Sequence, residues 1–121
     1  MSSAKVLDSY FQTEMTREIE AIVGLFAEGA VFQTPDAVRK GRDEIRPFFD
    51  DAAERFPHLS VSVTRAFTDG PFEIAEWSAV MTDRLGRRVP LEGVNIARVD
   101  IENSMIQGMR SYYDVSSYTR P

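Results

Sequence analysis

The polar residues that could support chemistry in this sequence lie within apolar segments. Tyr10 lies on one face of an apolar helical pattern, and Asn95 stands between Val94 and Ile96 in an apolar strand. A buried hydroxyl or amide group needs a hydrogen-bonding partner. Tyr10 is therefore either a pocket hydroxyl or a core aromatic ring with its hydroxyl at the rim. Asn95 either lines a pocket or pairs with Tyr10 or a bound water.

The sequence offers little for nucleophilic or metal-based catalysis. It contains a single histidine, His58, and no cysteine, so thiol chemistry is excluded and no other histidine can activate a serine. His58 follows Pro57 between a predicted helix and a predicted strand, which is typical of an exposed position. One histidine without cysteine or a nearby pair of carboxylates provides too few ligands for a transition metal. We therefore predict no metal and no cofactor.

The composition indicates one soluble domain. The 121 residues suit a single domain spanning residues 1–121, and 43% hydrophobic with 27% charged residues is ordinary for a folded protein. A net charge of −5 without a run of Lys and Arg argues against a nucleic-acid-binding surface. Neither a signal peptide nor a membrane-spanning stretch is recognisable. We expect a cytoplasmic protein with no nucleic-acid or membrane partner.

Helical spacing of apolar residues predicts helices in two segments. Residues 6–14 show this spacing, and Thr16 can cap a further helix, so the N-terminal segment is either two helices or one bent helix. Gly41–Phe56 predicts the next helix. Pro47 lacks an N–H group, so the regular helix should begin close before it, near residue 43. Asp50-Asp51 is interpreted as part of a solvated helix face.

The stretch Ile22–Pro35 predicts a corner that organises the chain. Its pattern predicts the end of an apolar helix, a tight corner at Glu28-Gly29, and a strand that ends at the proline. Side chains alternate along that strand, so Phe32 and Thr34 share one side. The following segment Asp36–Lys40 is polar and predicts a loop.

From Leu59 onward the apolar period changes to two, which is typical of strands. The predicted strands are Leu59–Phe67, Phe72–Met81, Val89–Ile101 and Met105–Tyr118. Helices followed by a run of antiparallel strands are typical of an α+β fold. A long curved sheet wrapped over helices leaves a cone, and its open end is a natural site for a small molecule.

These patterns together resemble the nuclear transport factor 2-like superfamily, in its SnoaL-like (polyketide-cyclase-like) and ketosteroid-isomerase-like branch. The resemblance lies in Ile22–Pro35, in the Gly41-Arg42-Asp43-Glu44-Ile45 opening of the third helix, and in Met109–Asp114 of the last strand. It extends from Lys5 to Val115. It implies a cone of three N-terminal helices on a curved, mostly antiparallel sheet. A shared fold does not imply a shared function.

The resemblance to ketosteroid isomerases can be followed position by position. Their oxyanion-donating tyrosine corresponds to Tyr10, and their protonated aspartate to Asn95, whose amide can also donate a hydrogen bond. We therefore propose these two residues as catalytic candidates. Their general base corresponds to Thr34, which cannot take a proton from carbon at neutral pH.

Two other activities of the superfamily also lack an acid here. In the Asp-Arg-Asp set of limonene-epoxide-hydrolase-like members, the arginine corresponds to Trp77 and the two aspartates to Ala79 and Ser111. The acid of the polyketide cyclases again corresponds to Ser111. Asp114, where an acid recurs in the family, points the other way by strand alternation. We interpret it as structural, with an arginine on the outer sheet face as its expected partner.

A mainly apolar pocket without an ionised acid is the expectation that follows, and its ligand would be a small apolar or aromatic molecule. The predicted lining is Tyr10, Phe32, Thr34, Phe49, Trp77, Asn95, Met109, Ser111 and Tyr113. Three functions remain open: a SnoaL-like small-molecule-binding protein, an isomerase, cyclase or dehydratase of a steroid- or polyketide-like carbonyl compound, and a non-catalytic dimerisation module. A pocket carboxylate with a raised pKa would favour the second, and a sealed pocket the third.

The opposite face of the predicted sheet carries its own apolar stripe. Val94, Ile96 and Tyr112 share this face, with Val80 as an expected neighbour. An apolar stripe that no helix covers indicates contact with another subunit. The resemblance also implies dimers that form sheet to sheet, so a homodimer through the outer sheet face is expected.

Overall fold

Ten helices and strands follow one another along residues 4–119, the part of the chain that the structure, a computed structural model, describes. In chain order they are α1 (Lys5–Thr16), α2 (Ile19–Val23), β1 (Phe26–Thr34), β2 (Ala37–Lys40), α3 (Arg42–Arg55), β3 (His58–Asp69), β4 (Phe72–Thr82), β5 (Arg88–Asp100), β6 (Met105–Tyr113) and α4 (Ser116–Thr119). No helix of this described part is both long enough and apolar enough to cross a membrane.

All six strands join one sheet in the order β2-β1-β6-β5-β4-β3. β1 pairs with β6 in parallel, and the other neighbouring pairs are antiparallel. The first three helices pack against this sheet, and the core lies between the two layers. Its largest fully buried side chains include Leu7, Ile22, Phe26, Phe32, Ile45, Phe49 and Ile106. The predicted α+β architecture is confirmed.

The segment before β1 contains two helices, which settles the alternative left open by the sequence. The chain breaks at Arg17, whose backbone takes a left-handed conformation with φ of 61°. The Thr16 hydroxyl accepts a hydrogen bond from the Glu18 N–H at 3.1 Å. The Arg17 guanidinium donates from Nε and Nη2 to the Phe56 carbonyl at 3.1 and 2.9 Å. This contact fixes the break between α1 and α2 against the end of α3.

The corner between α2 and β1 lies four residues earlier than predicted. α2 ends at Val23 and the strand begins at Phe26, so the predicted corner at Glu28-Gly29 is wrong. Phe26 is fully buried as the first residue of the strand. Phe26 follows Ile22 and Val23 by four and three residues, which is also the spacing of a further helical turn. The sequence pattern is therefore the same whether Phe26 reaches the core from a helix or from a strand. Phe32 and Thr34 do lie on the same side of β1, as predicted, since both are buried.

Two further elements differ from the prediction. The segment Asp36–Lys40 contains the short edge strand β2, which pairs with β1 from Val31↔Lys40 to Thr34↔Ala37. The composition of β2 is as polar as that of a loop because an edge strand buries little of its surface. β6 ends at Tyr113 rather than Tyr118, because the Asp114 carboxylate accepts a hydrogen bond from the Ser116 N–H at 2.9 Å and turns the chain into α4.

A bulge in β3 changes which side chains face the core. The pairing with β4 shifts between Val63↔Trp77 and Arg65↔Glu76, so one extra residue enters β3. A bulge reverses the alternation beyond it. Strict alternation along the predicted strand Leu59–Phe67 would put Phe67 on the same side as Leu59. The bulge instead puts Phe67 on the opposite face of the sheet, where it is 51% exposed.

A carboxylate from the sheet holds the start of α1. The first N–H groups of a helix have no partner within the helix, and α1 has no side-chain cap at Ala4. Glu73 of β4 is buried and accepts hydrogen bonds from the Leu7 N–H at 2.8 Å and the Val6 N–H at 3.2 Å. Its negative charge also suits the positive end of the helix. This contact sets how α1 lies on the sheet, and α1 carries the residues described next.

Candidate functional site

A cavity of about 260 Å³ opens between helices α1 and α3 and the inner face of the sheet. Most of its wall is apolar. Six of the predicted lining residues do line it, namely Tyr10, Phe32, Trp77, Asn95, Ser111 and Tyr113. The exposed residues Asp36, Asp51 and Arg55 also line it and connect it to solvent.

Three predicted lining residues lie outside the cavity wall. Phe49 and Met109 are buried behind it. Thr34 is also buried, and its hydroxyl donates to Asp36 Oδ1 at 2.7 Å and accepts a hydrogen bond from Arg39 Nη1 at 2.9 Å. Thr34 therefore positions Asp36 and Arg39, which do line the cavity.

Asn95 faces the cavity and is held by its neighbours on both sides. Its side-chain oxygen accepts hydrogen bonds from Trp77 Nε1 at 3.0 Å and from Ser111 Oγ at 2.6 Å. The indole N–H can only donate, so the amide oxygen must face Trp77. The amide nitrogen then contacts Met109 Sδ at 3.5 Å, and sulfur is a weak acceptor. The structure thus presents Asn95, rather than Ile96, to the inside.

Trp77 can hold Asn95 because a glycine lies opposite it. Gly93 pairs with Trp77 across β4 and β5. A Cβ atom at Gly93 would come within 2.4 Å of Trp77 Cζ2 and 2.5 Å of the Tyr112 carbonyl oxygen. The indole therefore lies directly on the glycine backbone, an approach that no larger residue permits. The sequence alone does not mark Gly93 as special, because an isolated glycine in a strand has several explanations.

Tyr10 and Glu14 form a polar pair in the wall opposite the sheet. Tyr10 is 3% exposed, and its ring packs edge-on against Phe26 and Phe49 with centroid distances of 6.1 and 6.2 Å. Glu14 lies one helical turn later, on the same face of α1, and is half-buried. Both residues line the cavity.

The environment of this pair changes the protonation of both groups. Burial raises the pKa of the Glu14 carboxyl from 4.5 to about 7, although the Arg17 charge and the hydrogen bond from Tyr10 act to lower it. Burial and the neighbouring Glu14 charge raise the pKa of Tyr10 well above its usual value. Burial also lowers the pKa of Arg17. At neutral pH Tyr10 is a neutral donor, while Glu14 exists in both protonation states.

The expectation of a pocket without an ionised acid is therefore wrong. Glu14 lies in the wall, and Asp36 and Asp51 lie at the rim, so Asp51 is more than part of a solvated helix face. The helical spacing over residues 6–14 includes Glu14 as its last position but does not by itself give it a role. Its i, i+4 spacing from Tyr10 was the available signal, because such residues are neighbours on a helix.

Arginines frame the mouth of the cavity beside these acids. The Arg39 guanidinium lies 4.5 Å from the centroid of the Phe48 ring, and that of Arg55 lies 5.2 Å from the centroid of the Phe56 ring. A guanidinium over an aromatic ring is attracted to the face of that ring, so these contacts help to hold both arginines at the mouth. His58 is exposed at the start of β3 and does not line the cavity. Among residues 4–119, His, Asp and Glu side chains nowhere gather in a group of three that could hold a metal ion.

Residues 7–108 match the family described as the SnoaL-like domain, which covers most of the chain. The chain belongs to the SnoaL-like family. The suspected SnoaL-like branch of the nuclear transport factor 2-like superfamily is thereby confirmed. No curated protein matches the sequence.

Solved structures resemble this SnoaL-like chain closely in fold and distantly in sequence. A hypothetical protein from Catenulispora acidiphila with a ketosteroid isomerase-like fold, in complex with trimethylamine, has a TM-score of 0.85 and 16% identity, covering 97% of this chain and 90% of the other. AusH from Aspergillus nidulans has a TM-score of 0.80 and 14% identity, covering 94% and 86%.

The epoxide hydrolase/cyclase-like enzyme SalBIII, which has a role in pyran ring formation in the polyether salinomycin, is similar to the chain as well. It has a TM-score of 0.80 and 22% identity, with 93% of this chain and 91% of the other covered. At such identities the likeness shows the fold alone.

Two positions at which the resemblance led us to look for an acid make internal hydrogen bonds in this chain. Thr34 holds Asp36 and Arg39, and Ser111 donates to Asn95. Neither hydroxyl can act as an acid or base near neutral pH. The carboxyl group best placed to act as an acid or base is that of Glu14, which lies on α1 rather than on a strand.

Proposed function

We propose that this SnoaL-like protein binds a small, mainly apolar carbonyl compound and catalyses its isomerisation, cyclisation or dehydration. The observation that carries the proposal is the cavity itself. Its apolar wall contains two hydrogen-bond donors, Tyr10 on α1 and Asn95 on β5, that come from opposite sides. Donors fixed in a water-poor cavity stabilise the negative charge that develops on a carbonyl oxygen.

The local contacts of both donors support this role. Trp77 and Ser111 occupy the amide oxygen of Asn95, so its nitrogen is the atom left to donate. The sulfur contact of that nitrogen is weak, and a charged oxygen would replace it readily. The raised pKa of Tyr10 keeps its hydroxyl protonated, hence able to donate, over the whole neutral range.

The size and lining of the cavity support a particular substrate class. About 260 Å³ is near the lower end of the range for small-molecule sites, which begins at roughly 300 Å³. The solved structure of similar fold that has a role in pyran ring formation in a polyether supports a cyclisation substrate of this kind. We therefore favour a steroid- or polyketide-like carbonyl compound over a sugar or nucleotide.

A thermal-shift screen tests this function. Steroids, terpenoids and aromatic ketones should include compounds that raise the melting temperature, because a ligand that binds the native state stabilises it. Hits are then assayed for turnover with the wild-type protein and with Tyr10→Phe. A library in which no compound raises the melting temperature, or hits that are not converted, would contradict the proposal.

We also propose that the protein forms a homodimer through the outer face of its sheet. The outer apolar patch consists of Phe67, Ile74, Val94, Ile96 and Tyr112, whose positions adjoin across β3 to β6. Phe67 and Tyr112 are 51% and 43% exposed. The cavity opens on the other side of the sheet, so a partner bound here would leave its mouth free.

A further inference from the structure

We propose that Glu14 is the residue that carries the proton in this reaction, replacing the strand acids that the chain lacks. The inference rests on the proposed function and adds the group that the Tyr10 and Asn95 donors do not supply. Donors can hold a developing oxyanion, but a carbon-bound proton must leave to an acceptor. The positions of Thr34 and Ser111 hold only hydroxyl groups.

Placement distinguishes Glu14 from the other acids at the cavity. Asp36 and Asp51 are exposed at the rim, where water solvates the carboxylate. Glu14 is half-buried in the wall and lies one helical turn from Tyr10, which also lines the cavity. Of the lining carboxyl groups in the described chain, it is the one withdrawn from solvent and placed one turn from a proposed oxyanion donor.

The position of Glu14 allows it to move a proton from one carbon of the substrate to another. The Glu14 carboxylate takes the proton from a carbon next to the carbonyl group, and the C–H electron pair forms the enolate double bond as charge moves to oxygen. Glu14, now a neutral acid, no longer competes for the Tyr10 hydroxyl proton, so Tyr10 can donate to the enolate oxygen. Return of the proton from Glu14 to another carbon completes an isomerisation without a co-reactant.

The protonation of Glu14 is matched to this role. The groups that face it are Tyr10 and Arg17, with Tyr113 adjoining Tyr10. Burial outweighs the Arg17 charge and brings the pKa of Glu14 to about 7. A group that titrates near the working pH is available in both the accepting and the donating form.

Ring opening of nitrobenzisoxazole tests the inference without knowledge of the natural substrate. Removal of the proton on its isoxazole carbon forms a nitrile as the N–O bond breaks, and the ring opens to a coloured cyanophenolate, so no other reagent is needed. The rate is compared for the wild type, Glu14→Gln and the matched control Glu28→Gln. Glu28 is exposed on β1 and does not line the cavity.

We expect Glu14→Gln to lose about 100-fold or more of the catalysed rate, which is the usual contribution of a general base, while Glu28→Gln keeps the wild-type rate. The wild-type rate should rise with pH around a midpoint near 7. Circular dichroism and thermal melting establish that Glu14→Gln is folded. A wild type no faster than Glu14→Gln, or a midpoint near 4.5, overturns the role of Glu14.

The same measurements separate this inference from the proposed function. Ring opening that depends on Glu14, together with no carbonyl compound that raises the melting temperature, contradicts the proposed function and supports the base. Carbonyl compounds that bind and turn over equally in Glu14→Gln and the wild type support the function and overturn the base.

Discussion

Glu14 lies one helical turn after Tyr10 on α1, and both side chains lie in the wall of the cavity. The pair combines a neutral donor with a carboxyl group that changes its charge near pH 7. Each group influences the other, since the Glu14 charge raises the pKa of Tyr10 and the hydrogen bond from Tyr10 lowers that of Glu14. The pH dependence of stability and the effect of Tyr10→Phe both follow from this mutual influence.

The free energy of unfolding should decrease as the pH rises from about 4.5 to 7. The folded protein binds a proton at Glu14 in this interval that the unfolded chain has already released, since the folded pKa is the higher one. Stability is therefore greatest below the unfolded value and is lost through the folded one. The shift corresponds to a loss of at most about 3 kcal/mol.

Urea unfolding at pH 5 and pH 8 measures this effect, with Glu14→Gln as the comparison. The variant cannot ionise at position 14, so its stability should change less between the two pH values. Equal losses in both proteins would show that Glu14 titrates normally.

Tyr10→Phe should lower turnover by about 100-fold, the usual cost of removing one oxyanion donor. The variant keeps the aromatic packing against Phe26 and Phe49, so its melting temperature should change little. It also removes the hydrogen bond that lowers the pKa of Glu14, so the midpoint of the pH–rate profile should move upward. Turnover at the wild-type rate would remove Tyr10 from the mechanism.

Gly93→Ala should destabilise the protein by about 1–3 kcal/mol, the usual cost of overpacking. The new methyl group would lie 2.4 Å from Trp77 Cζ2 and force the indole away from Asn95. Trp77 is the single tryptophan of the chain, so its fluorescence emission reports the displacement directly.

Gly29→Ala is the matched control for this variant, because nothing lies within 4 Å of a Cβ atom placed there. We expect it to keep the wild-type stability and emission. Should Gly93→Ala behave in the same way, the close contact of Trp77 with the strand would be refuted.

The outer apolar patch should bind a second copy of the chain. We expect light scattering to give the mass of two chains for the wild type and of one chain for Tyr112→Asp, because burying an unpaired carboxylate is costly. Leu85→Asp is the control, since Leu85 is 77% exposed in the β4–β5 loop, away from the patch. A monomeric wild type would exclude the dimer.

Periodicity predicted the fold well wherever one face of an element is buried. The alternation along β1 correctly grouped Phe32 with Thr34, because a one-residue slip would have exposed both. It failed at Phe67, where a bulge reverses the faces, since nothing in the local sequence marks an extra residue in β3. It also failed at Phe26, whose spacing suits a helix and a strand equally.

The candidate site could be predicted only in part, for a different reason. The positions of Tyr10 and Asn95 follow from local patterns. The burial of Glu14 depends on how α1 lies on the sheet, and this orientation is fixed by Glu73, more than sixty residues away. A single sequence contains no local signal for such a contact. Gly93 is similar, because its need for a glycine arises from the Trp77 ring on the neighbouring strand.

Carbon-13 NMR titration of the Glu14 side-chain carboxyl, assigned with Glu14→Gln, tests the central claim most directly. We predict a midpoint near pH 7 in the wild type and a higher midpoint in Tyr10→Phe. A wild-type midpoint near 4.5, the ordinary value for glutamate, that Tyr10→Phe leaves unchanged would contradict the account.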